Sequence, residues 1–468
     1  MDNAQFGMIG LGTMGRNFLL NVAENGFSAS GYDIDAEKVS ALSSESEGFD
    51  VKGFEGVAEF VDSLERPRKI MMLVPAGKPV DSVIGSLLPQ LQEGDIIIDG
   101  GNSHFPDTER RIAELEAKGI RFLGVGVSGG AEGARKGPSI MAGGDPSAYG
   151  EVRTVLEAVA AKVDEEPCAA RVGSGSAGHF VKMVHNGIEY GLMQLICEAY
   201  DIMGRGMGLE ADGISEVFEE WDSGELNSFL IEITAKVLAK EDPDGEGNLV
   251  DKILDTAGQK GTGRWTSEVA LEMGVPIPTI DSAVTMRQIS SFKERRVELE
   301  GEYPKVIGPL GDVLAIGTLA KGLFAAFVLT YAQGLSLLSE ASKEKEYGLD
   351  LEQIAKIWRG GCIIRAALLE DIRKAYAQKP GLENLILHAS FREILVDSSN
   401  ALREVTVKST DAGLPSYCFA SSLAYFDAFT SGRLPANLLQ GQRDFFGAHT
   451  YKRTDKEGTF TTQWDNDQ

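Results

Sequence analysis

A short apolar run, Phe6–Ile9, feeds straight into Gly10-Leu-Gly-Thr-Met-Gly15, and an amphipathic stretch then runs from Arg16 towards Asn25. Three glycines between a strand and a helix leave few folds open. They permit a tight turn and close backbone approach, and the helix N-terminus then faces a pyrophosphate. The spacing alone is a weak signal, but in this strand–turn–helix setting it has a mechanism. It predicts a dinucleotide site built from Gly10, Leu11, Gly12, Thr13, Met14 and Gly15, against the bland alternative of a bare strand–helix turn. Further apolar runs at Ile70–Val74, Asp95–Asp99 and Arg121–Val127 alternate with helical patterns. That rhythm is βαβ, so an α/β Rossmann domain with a doubly wound, mostly parallel sheet is expected over residues 1–176.

The rhythm fades at Arg171-Val-Gly-Ser-Gly-Ser-Ala-Gly178, a Gly/Ser-rich hinge, and long amphipathic helices take over. A large all-α domain is expected over 177–434. A weak internal echo suggests a helical duplication: Gly208-Leu209, Ile214, Val217 and Phe218 return 140 positions later as Gly348-Leu349, Ile354, Ile357 and Trp358. Two generic helices with similar faces would give the same echo. After Pro435 the pattern thins into a tail, 435–468, whose aromatic residues want a partner surface.

Length and charge narrow the class. At 468 residues, two or three domains are expected, and 43% hydrophobic with 25% charged residues is ordinary for a soluble globular protein. A net charge of −25 argues against nucleic acid as a partner, and any anionic ligand must find a locally positive pocket. Four scattered cysteines, with no spacing suited to metal, read as reduced thiols of a cytoplasmic protein. The start lacks the basic segment of a signal peptide. No apolar run free of charge is expected to reach about 18 residues, so no membrane span is expected.

The residues that carry chemistry fall at strand ends and on one helix. Asp33 ends the second strand, where a carboxylate accepts ribose hydroxyls and repels a 2′-phosphate. Asp35 adds repulsion, and no Arg follows until Arg66; both acids also suit capping of the helix that begins at Ala36. Asp99-Gly-Gly-Asn-Ser103 places Asn102 at a strand end, and Val127-Ser-Gly-Gly130 repeats the device with Ser128, Gly129 and Gly130. Plain loop turns are the alternative for both, and Gly143-Gly144 reads as a plain turn. At about 100° per residue, Lys182, His185, Asn186 and Glu189 share one arc of a helix, while Val181, Val184, Ile188, Leu192 and Leu195 share another. The polar arc faces either a cleft or water. Ala257-Gly-Gln-Lys-Gly-Thr-Gly-Arg-Trp265 is a flexible loop carrying Lys260 and Thr262 without the order of a P-loop. Arg287 lies on a helix, where a solvated side chain is the bland reading, and Arg443 and His449 flank the aromatic tail.

Taken in order, these segments resemble the 6-phosphogluconate dehydrogenase family of the β-hydroxyacid dehydrogenases. The motifs are Gly10–Gly15, Asp99–Ser103, Val127–Gly130 with Gly137-Pro-Ser139, Lys182-Met-Val-His-Asn-Gly-Ile-Glu-Tyr190, Gln259–Thr266 and Arg443–Thr450, and they span nearly the whole chain. The resemblance implies oxidative decarboxylation of 6-phosphogluconate in the pentose phosphate pathway, with Lys182 as base and Glu189 as acid. It assigns Val74, Pro75, Ala76 and Asn102 to the cofactor. Asn102, Ser128, Gly129, Gly130, His185 and Asn186 would hold the carboxylate and hydroxyls. Tyr190, Lys260, Thr262, Arg287 and, from a partner subunit, Arg443 and His449 would hold the phosphate. It implies no metal and at least a homodimer with exchanged tails, dimer against tetramer being open. The chain departs from the family where Asp33-Ile34-Asp35 stands for the usual Asn-Arg-Thr, Pro75 for a common Lys, and Ala131 for Glu. The first two departures predict NAD as the preferred cofactor, with NADP allowed. Two alternatives stand beside this: another β-hydroxyacid dehydrogenase acting on an unphosphorylated acid, and a non-catalytic dinucleotide-binding protein.

Overall fold

The structure, a computed structural model, describes residues 3–303, 307–311 and 313–464. Residues 1–2 and 465–468, at the ends of the expected first domain and tail, lie outside the described residues, as do 304–306 and 312 within the expected helical domain. The strands are β1 (Phe6–Ile9), β2 (Ala29–Tyr32), β3 (Val51–Phe54), β4 (Lys69–Met72), β5 (Ile96–Asp99), β6 (Arg121–Ser128), β7 (Ser139–Gly144), β8 (Lys162–Val163), β9 (Glu166–Pro167) and β10 (Ala169–Gly173). Eight of them form one sheet in the order β10-β7-β6-β5-β4-β1-β2-β3, and β8 pairs with β9 apart from it. Within the sheet β6 and β7 are antiparallel and the other pairings are parallel.

The central strands are continuous apolar runs because both faces are covered. Ile96 and Ile98 join one buried cluster with Phe6 and Met8, while Ile97 joins another with Ile9, Ile70 and Met72. The chain works outward from β1 to β3 and returns on the other side of β1 to lay down β4. The order therefore reverses between β1 and β4, and a crevice for ligands opens at their C-terminal ends. The first helix, Thr13–Glu24, begins three residues earlier than the sequence pattern suggests, with Gly12 as its N-cap.

Gly143 and Gly144 are not a plain turn. They close β7, antiparallel to β6 with Gly143 opposite Gly124. The reason is steric: the helix Ala177–Asp201 starts directly on the sheet at this point. A Cβ on Gly178 would lie 2.2 Å from the Gly124 carbonyl oxygen and 2.6 Å from the Gly143 amide nitrogen.

Beyond residue 177 helices dominate, and the sequence echo has a structural counterpart. The helix Ala177–Asp201 and the helix Ile316–Glu344 each lead into a glycine of positive φ, Gly208 at 74° and Gly348 at 64°. Each glycine precedes a short helix, Ala211–Asp222 and Leu351–Trp358, and then a further one, Phe229–Leu238 and Leu368–Gln378. Ser228 and Ala366, just before those last helices, pair in an isolated antiparallel bridge.

One expectation is corrected here. Helix Ile316–Glu344 is long and apolar enough to cross a membrane, and its 18-residue window is 89% buried inside the protein. Its apolar surface is covered by the molecule itself, chiefly by the helices Ala177–Asp201 and Ala389–Asp411.

The chain divides into two compact units, 1–422 and 423–468. In the second, the helix Ala436–Gly447 is clasped by the return of the tail. Buried Asp444 accepts hydrogen bonds from the Thr450 and Thr462 amides and the Trp464 indole, and Tyr451 pairs with Phe460.

Gly178→Ala tests the close approach of helix to sheet. Its methyl group meets backbone rather than a yielding side chain, so the variant should lose about 3 kcal/mol or more of stability, read as a lower denaturant midpoint.

Candidate active site

The turn after β1 is shaped by its three glycines in different ways. Gly10 has φ of 90°, and a Cβ there would meet the Leu73 carbonyl oxygen at 2.6 Å. A Cβ on Gly15 would sit 1.8 Å from the Gly10 carbonyl, so only glycine lets the helix pack against the turn. Nothing lies within 4 Å of the Cβ position at Gly12, leaving open space at the N-terminus of the first helix. That is the arrangement a pyrophosphate needs.

Asp33 is buried, and its carboxylate accepts the Leu11 amide at 2.8 Å and the Asp35 amide at 3.0 Å. Asp35 caps the helix Ala36–Glu45 through the Glu37 amide. Both readings of these acids therefore coexist at one strand end. Sequence spacing overlooked Lys38, whose ammonium lies 3.6 Å from Asp33 and 3.5 Å from Asp35. Val74 lies between the Gly10 turn and Gly101, while Pro75, Ala76 and Asn102 are at the surface.

The polar arc of the helix Ala177–Asp201 does not face bulk water. Lys182 is 6% exposed and His185 is fully buried. Lys182 lies over β6, where a Cβ on Gly126 would be 2.4 Å from its own Cβ. Among the described residues Lys182 has no hydrogen bond or ion pair. Burial holds its amine below the ordinary range, opposed by the charges of Glu189 and Cys362. Burial likewise raises the Glu189 carboxyl, opposed by Lys182 and Arg287. His185 is kept well below its usual value by burial and then by Lys182.

Several predicted residues meet through that helix. His185 Nδ1 lies 3.1 Å from the Asn186 side-chain oxygen, so that nitrogen donates and Nε2 is left to accept from Ser128 Oγ at 3.4 Å. Asn186 Nδ2 donates to Thr262 Oγ1 at 3.3 Å. Tyr190 is held between two neighbours: the Arg287 guanidinium stands 3.5 Å over its ring, and Gly263 packs against the other atoms. Arg287 also donates to the Gly258 carbonyl at 3.3 Å, which ties down the exposed loop that carries Lys260. Gly129, at φ of 116°, and Gly130, at 65°, turn the chain at the end of β6. Arg443 and His449 lie in the second unit, both exposed, with Arg443 bonded to Gln440 and the His449 ring against Phe446.

An amine and a carboxyl group on one helix face, one depressed and the other raised, are suited to proton transfer at two points of one molecule. Comparison with known proteins narrows the choice. Residues 178–464 match the family model for the C-terminal domain of 6-phosphogluconate dehydrogenase, and residues 5–172 match its NAD binding domain. The chain belongs to the 6-phosphogluconate dehydrogenase family. A Bacillus subtilis protein named as the NADP(+)-dependent, decarboxylating enzyme is 50% identical over 468 residues, covering 99% of this chain and 100% of that one. A Synechococcus elongatus protein named as the decarboxylating enzyme is 50% identical over 466 residues, 98% of this chain and 99% of that one. Among solved structures, a Plasmodium falciparum 6-phosphogluconate dehydrogenase, described in apo form and with NADP+ or 6-phosphogluconate, matches with a TM-score of 0.95. That structure is 44% identical and covers 98% of this chain and 100% of its own.

Other parts of the site of this family member escaped the sequence reading. Trp358 packs edge-on against His185, with ring centroids 5.5 Å apart. The Gly361 carbonyl would lie 2.6 Å from a Gly129 Cβ, and Cys362, pushed up to about 12 by burial, feels the charge of Lys182. The Gly360-Gly361 pair after a helix was the available signal. Glu198, further along the same helix, is 3% exposed and accepts the Cys418 and Phe419 amides that open the helix Tyr417–Phe429. Burial raises its carboxyl to about 7, against those hydrogen bonds.

The sign of that shift gives a test. The folded protein keeps the Glu198 proton where the unfolded chain has released it, so stability falls as pH rises from about 4.5 to about 7 and is flat above. Glu198→Gln should remove this decline, so the variant gains relative to the parent between pH 5 and pH 8 by on the order of 3 kcal/mol. Urea midpoints at the two pH values measure it, and a pH-independent difference contradicts the assignment.

Proposed function

We propose that this chain oxidises and decarboxylates 6-phosphogluconate to ribulose 5-phosphate and carbon dioxide. The observation that carries the reading is the buried, unpaired Lys182 amine on one helix face with Glu189. A lysine left without a partner in low dielectric is poorly explained by stability, since burial of the charge is unfavourable. It is well explained as a base whose neutral form burial makes easier to reach. Family membership supports the same activity, and the solved Plasmodium falciparum relative is described with 6-phosphogluconate and NADP+.

In this reading Lys182 Nζ takes the proton of the substrate's C3 hydroxyl. Bound nicotinamide supplies the hydride acceptor. The protonated Lys182 then polarises the C3 keto oxygen while C1 leaves as carbon dioxide, and Glu189 delivers a proton to substrate C2, which becomes C1 of ribulose 5-phosphate. Asn102, Ser128, Gly129, Gly130, His185 and Asn186 hold the carboxylate and hydroxyls, and the Ser128–His185–Asn186–Thr262 chain of hydrogen bonds fixes their orientation. Tyr190, Lys260, Thr262 and Arg287 receive the phosphate, completed by Arg443 and His449 of a partner subunit. Residues 1–176 would bind the dinucleotide, 177–434 the sugar acid, and 435–468 would reach the partner of a homodimer or tetramer. Leu438, Leu439, Phe445 and Phe446, 58–73% exposed on the tail helix or at its end, support a partner surface for the tail. Four free cysteines, three of them buried, support a cytoplasmic setting.

The turn at Gly10–Gly15 fits a dinucleotide, with the free space at Gly12 for its pyrophosphate and Val74, Pro75, Ala76 and Asn102 lining the route to the nicotinamide. Asp33 and Asp35 favour NAD over NADP, because a 2′-phosphate would meet two carboxylates whose one ion-pair partner among the described residues is Lys38. The Bacillus subtilis relative is named NADP(+)-dependent, so this preference would set the chain apart from it.

Absorbance at 340 nm with 6-phosphogluconate should show reduction of both cofactors, with the higher kcat/KM for NAD; a higher value for NADP refutes the preference. Equal turnover of gluconate would point instead to an unphosphorylated acid as substrate. Lys182→Met should lower kcat by roughly 10³-fold or more and Glu189→Gln by roughly 10²-fold, with dinucleotide binding kept. The parent profile of kcat/KM against pH should be bell-shaped: rate rises as Lys182 loses its proton and falls as Glu189 loses the proton it must deliver. Persistent turnover in Lys182→Met removes that residue as the base.

A further inference from the structure

We propose that Arg111 is a positioning residue that holds the cofactor loop after β4 and the substrate loop after β5 in one fixed relation to the Lys182 helix. Arg111, on the helix Phe105–Glu116, is 1% exposed. Its Nε donates to Asp81 at 2.8 Å and its Nη2 to the Gly77 carbonyl at 3.0 Å, both just beyond β4. Its Nη1 reaches the carboxylate of Asp99, the last residue of β5, at 3.5 Å and Ser103 Oγ, in the loop after it, at 3.4 Å.

Asp99, itself fully buried, carries the link onward. Its carboxylate accepts the Gly101 amide at 3.0 Å and the Ser103 hydroxyl at 2.6 Å, so its two oxygens bracket Asn102. Its carbonyl oxygen lies 3.0 Å from His179 Nε2, three residues before Lys182. A carbonyl only accepts, so Nε2 carries the proton and Nδ1 accepts from the Thr108 hydroxyl at 2.7 Å. Thr108 and Arg111 are one turn apart on the same helix. That helix therefore grips Asp99 from both its carboxylate and its carbonyl.

A buried ion pair contributes little net stability compared with an apolar pair of the same volume. Leucine and isoleucine could fill this space, but they could not tie the Gly77 carbonyl and the Asp81 carboxylate to the Asp99 carboxylate and the Ser103 hydroxyl at set distances. A planar guanidinium with five donors can, and a lysine ammonium cannot span the same acceptors. Hydride transfer needs donor and acceptor carbons held to within a fraction of an ångström, and here the two sides are borne by different loops.

The inference rests on the activity proposed above, and the test separates the two. Arg111→Lys in the full-length protein should fold, as judged by circular dichroism, yet lose roughly 10- to 100-fold in kcat/KM for 6-phosphogluconate. The isotope effect on kcat with substrate deuterated at C3 should rise, and the dinucleotide Kd from tryptophan fluorescence should weaken several-fold. Asp81→Ala, which removes the acceptor on the half-exposed side of the guanidinium, should move both readings the same way by less. A variant with a lowered Tm but unchanged kinetics, isotope effect and Kd makes Arg111 a purely structural group and overturns the inference. If Arg111→Lys fails to fold, unchanged values in Asp81→Ala overturn it instead. A parent enzyme inactive on 6-phosphogluconate sinks the proposed activity, while the dinucleotide Kd still reports on Arg111.

Discussion

The helix that bears the candidate base lies on the sheet with almost nothing between them. At Gly124, Gly126, Gly143 and Gly178 a side chain of even one carbon would collide with backbone or with the Lys182 and His179 side chains. This contact helps to remove Lys182 from water, and it sets the root of the Lys182 side chain over Gly126, two residues before Ser128. Pull the helix back by one side-chain layer and the lysine would be an ordinary solvated cation. The perturbation of Lys182 and the glycines under it are one feature seen from two sides.

The same low dielectric acts on Glu189 in the opposite sense. Burial disfavours the ammonium and the carboxylate alike, while their mutual attraction favours both. Desolvation is the larger influence on each group, so the uncharged amine and uncharged acid are brought closer in energy to the ion pair. Shifts of opposite sense on the two groups lower the cost of giving and receiving protons there. His185, deeply buried and next to Lys182, stays neutral and serves as a hydrogen-bonding relay between Ser128 and Asn186.

Much of this was legible in the chain because its signals are local. The Gly10–Gly15 turn, the apolar strands and the one-sided helix face each depend on spacings of a few residues. The duplicated helices were visible as an echo because a glycine of positive φ recurs at the same point of each copy. What escaped depends on distant partners. Arg111 looks like any helical arginine until β4 and β5 are set side by side. Cys362 and Trp358 reach Lys182 and His185 only through the packing of the second helical copy. Gly143-Gly144 resembles a turn because a strand that must admit a helix end has the same composition as one that reverses direction. The charge-free stretch in Ile316–Glu344 was missed because its small and polar members hide how apolar the whole is.

The paired helical units also divide their labour. In the first copy the long helix carries the amine, imidazole and acid, and must tolerate polar groups at its heart. Its counterpart, Ile316–Glu344, carries none of that chemistry and is an apolar rod that packs beside it. One long helix bears the reagents, and the other supplies a dry wall beside them. By length and composition alone that wall could cross a bilayer, and it is the protein packed around it that keeps it covered.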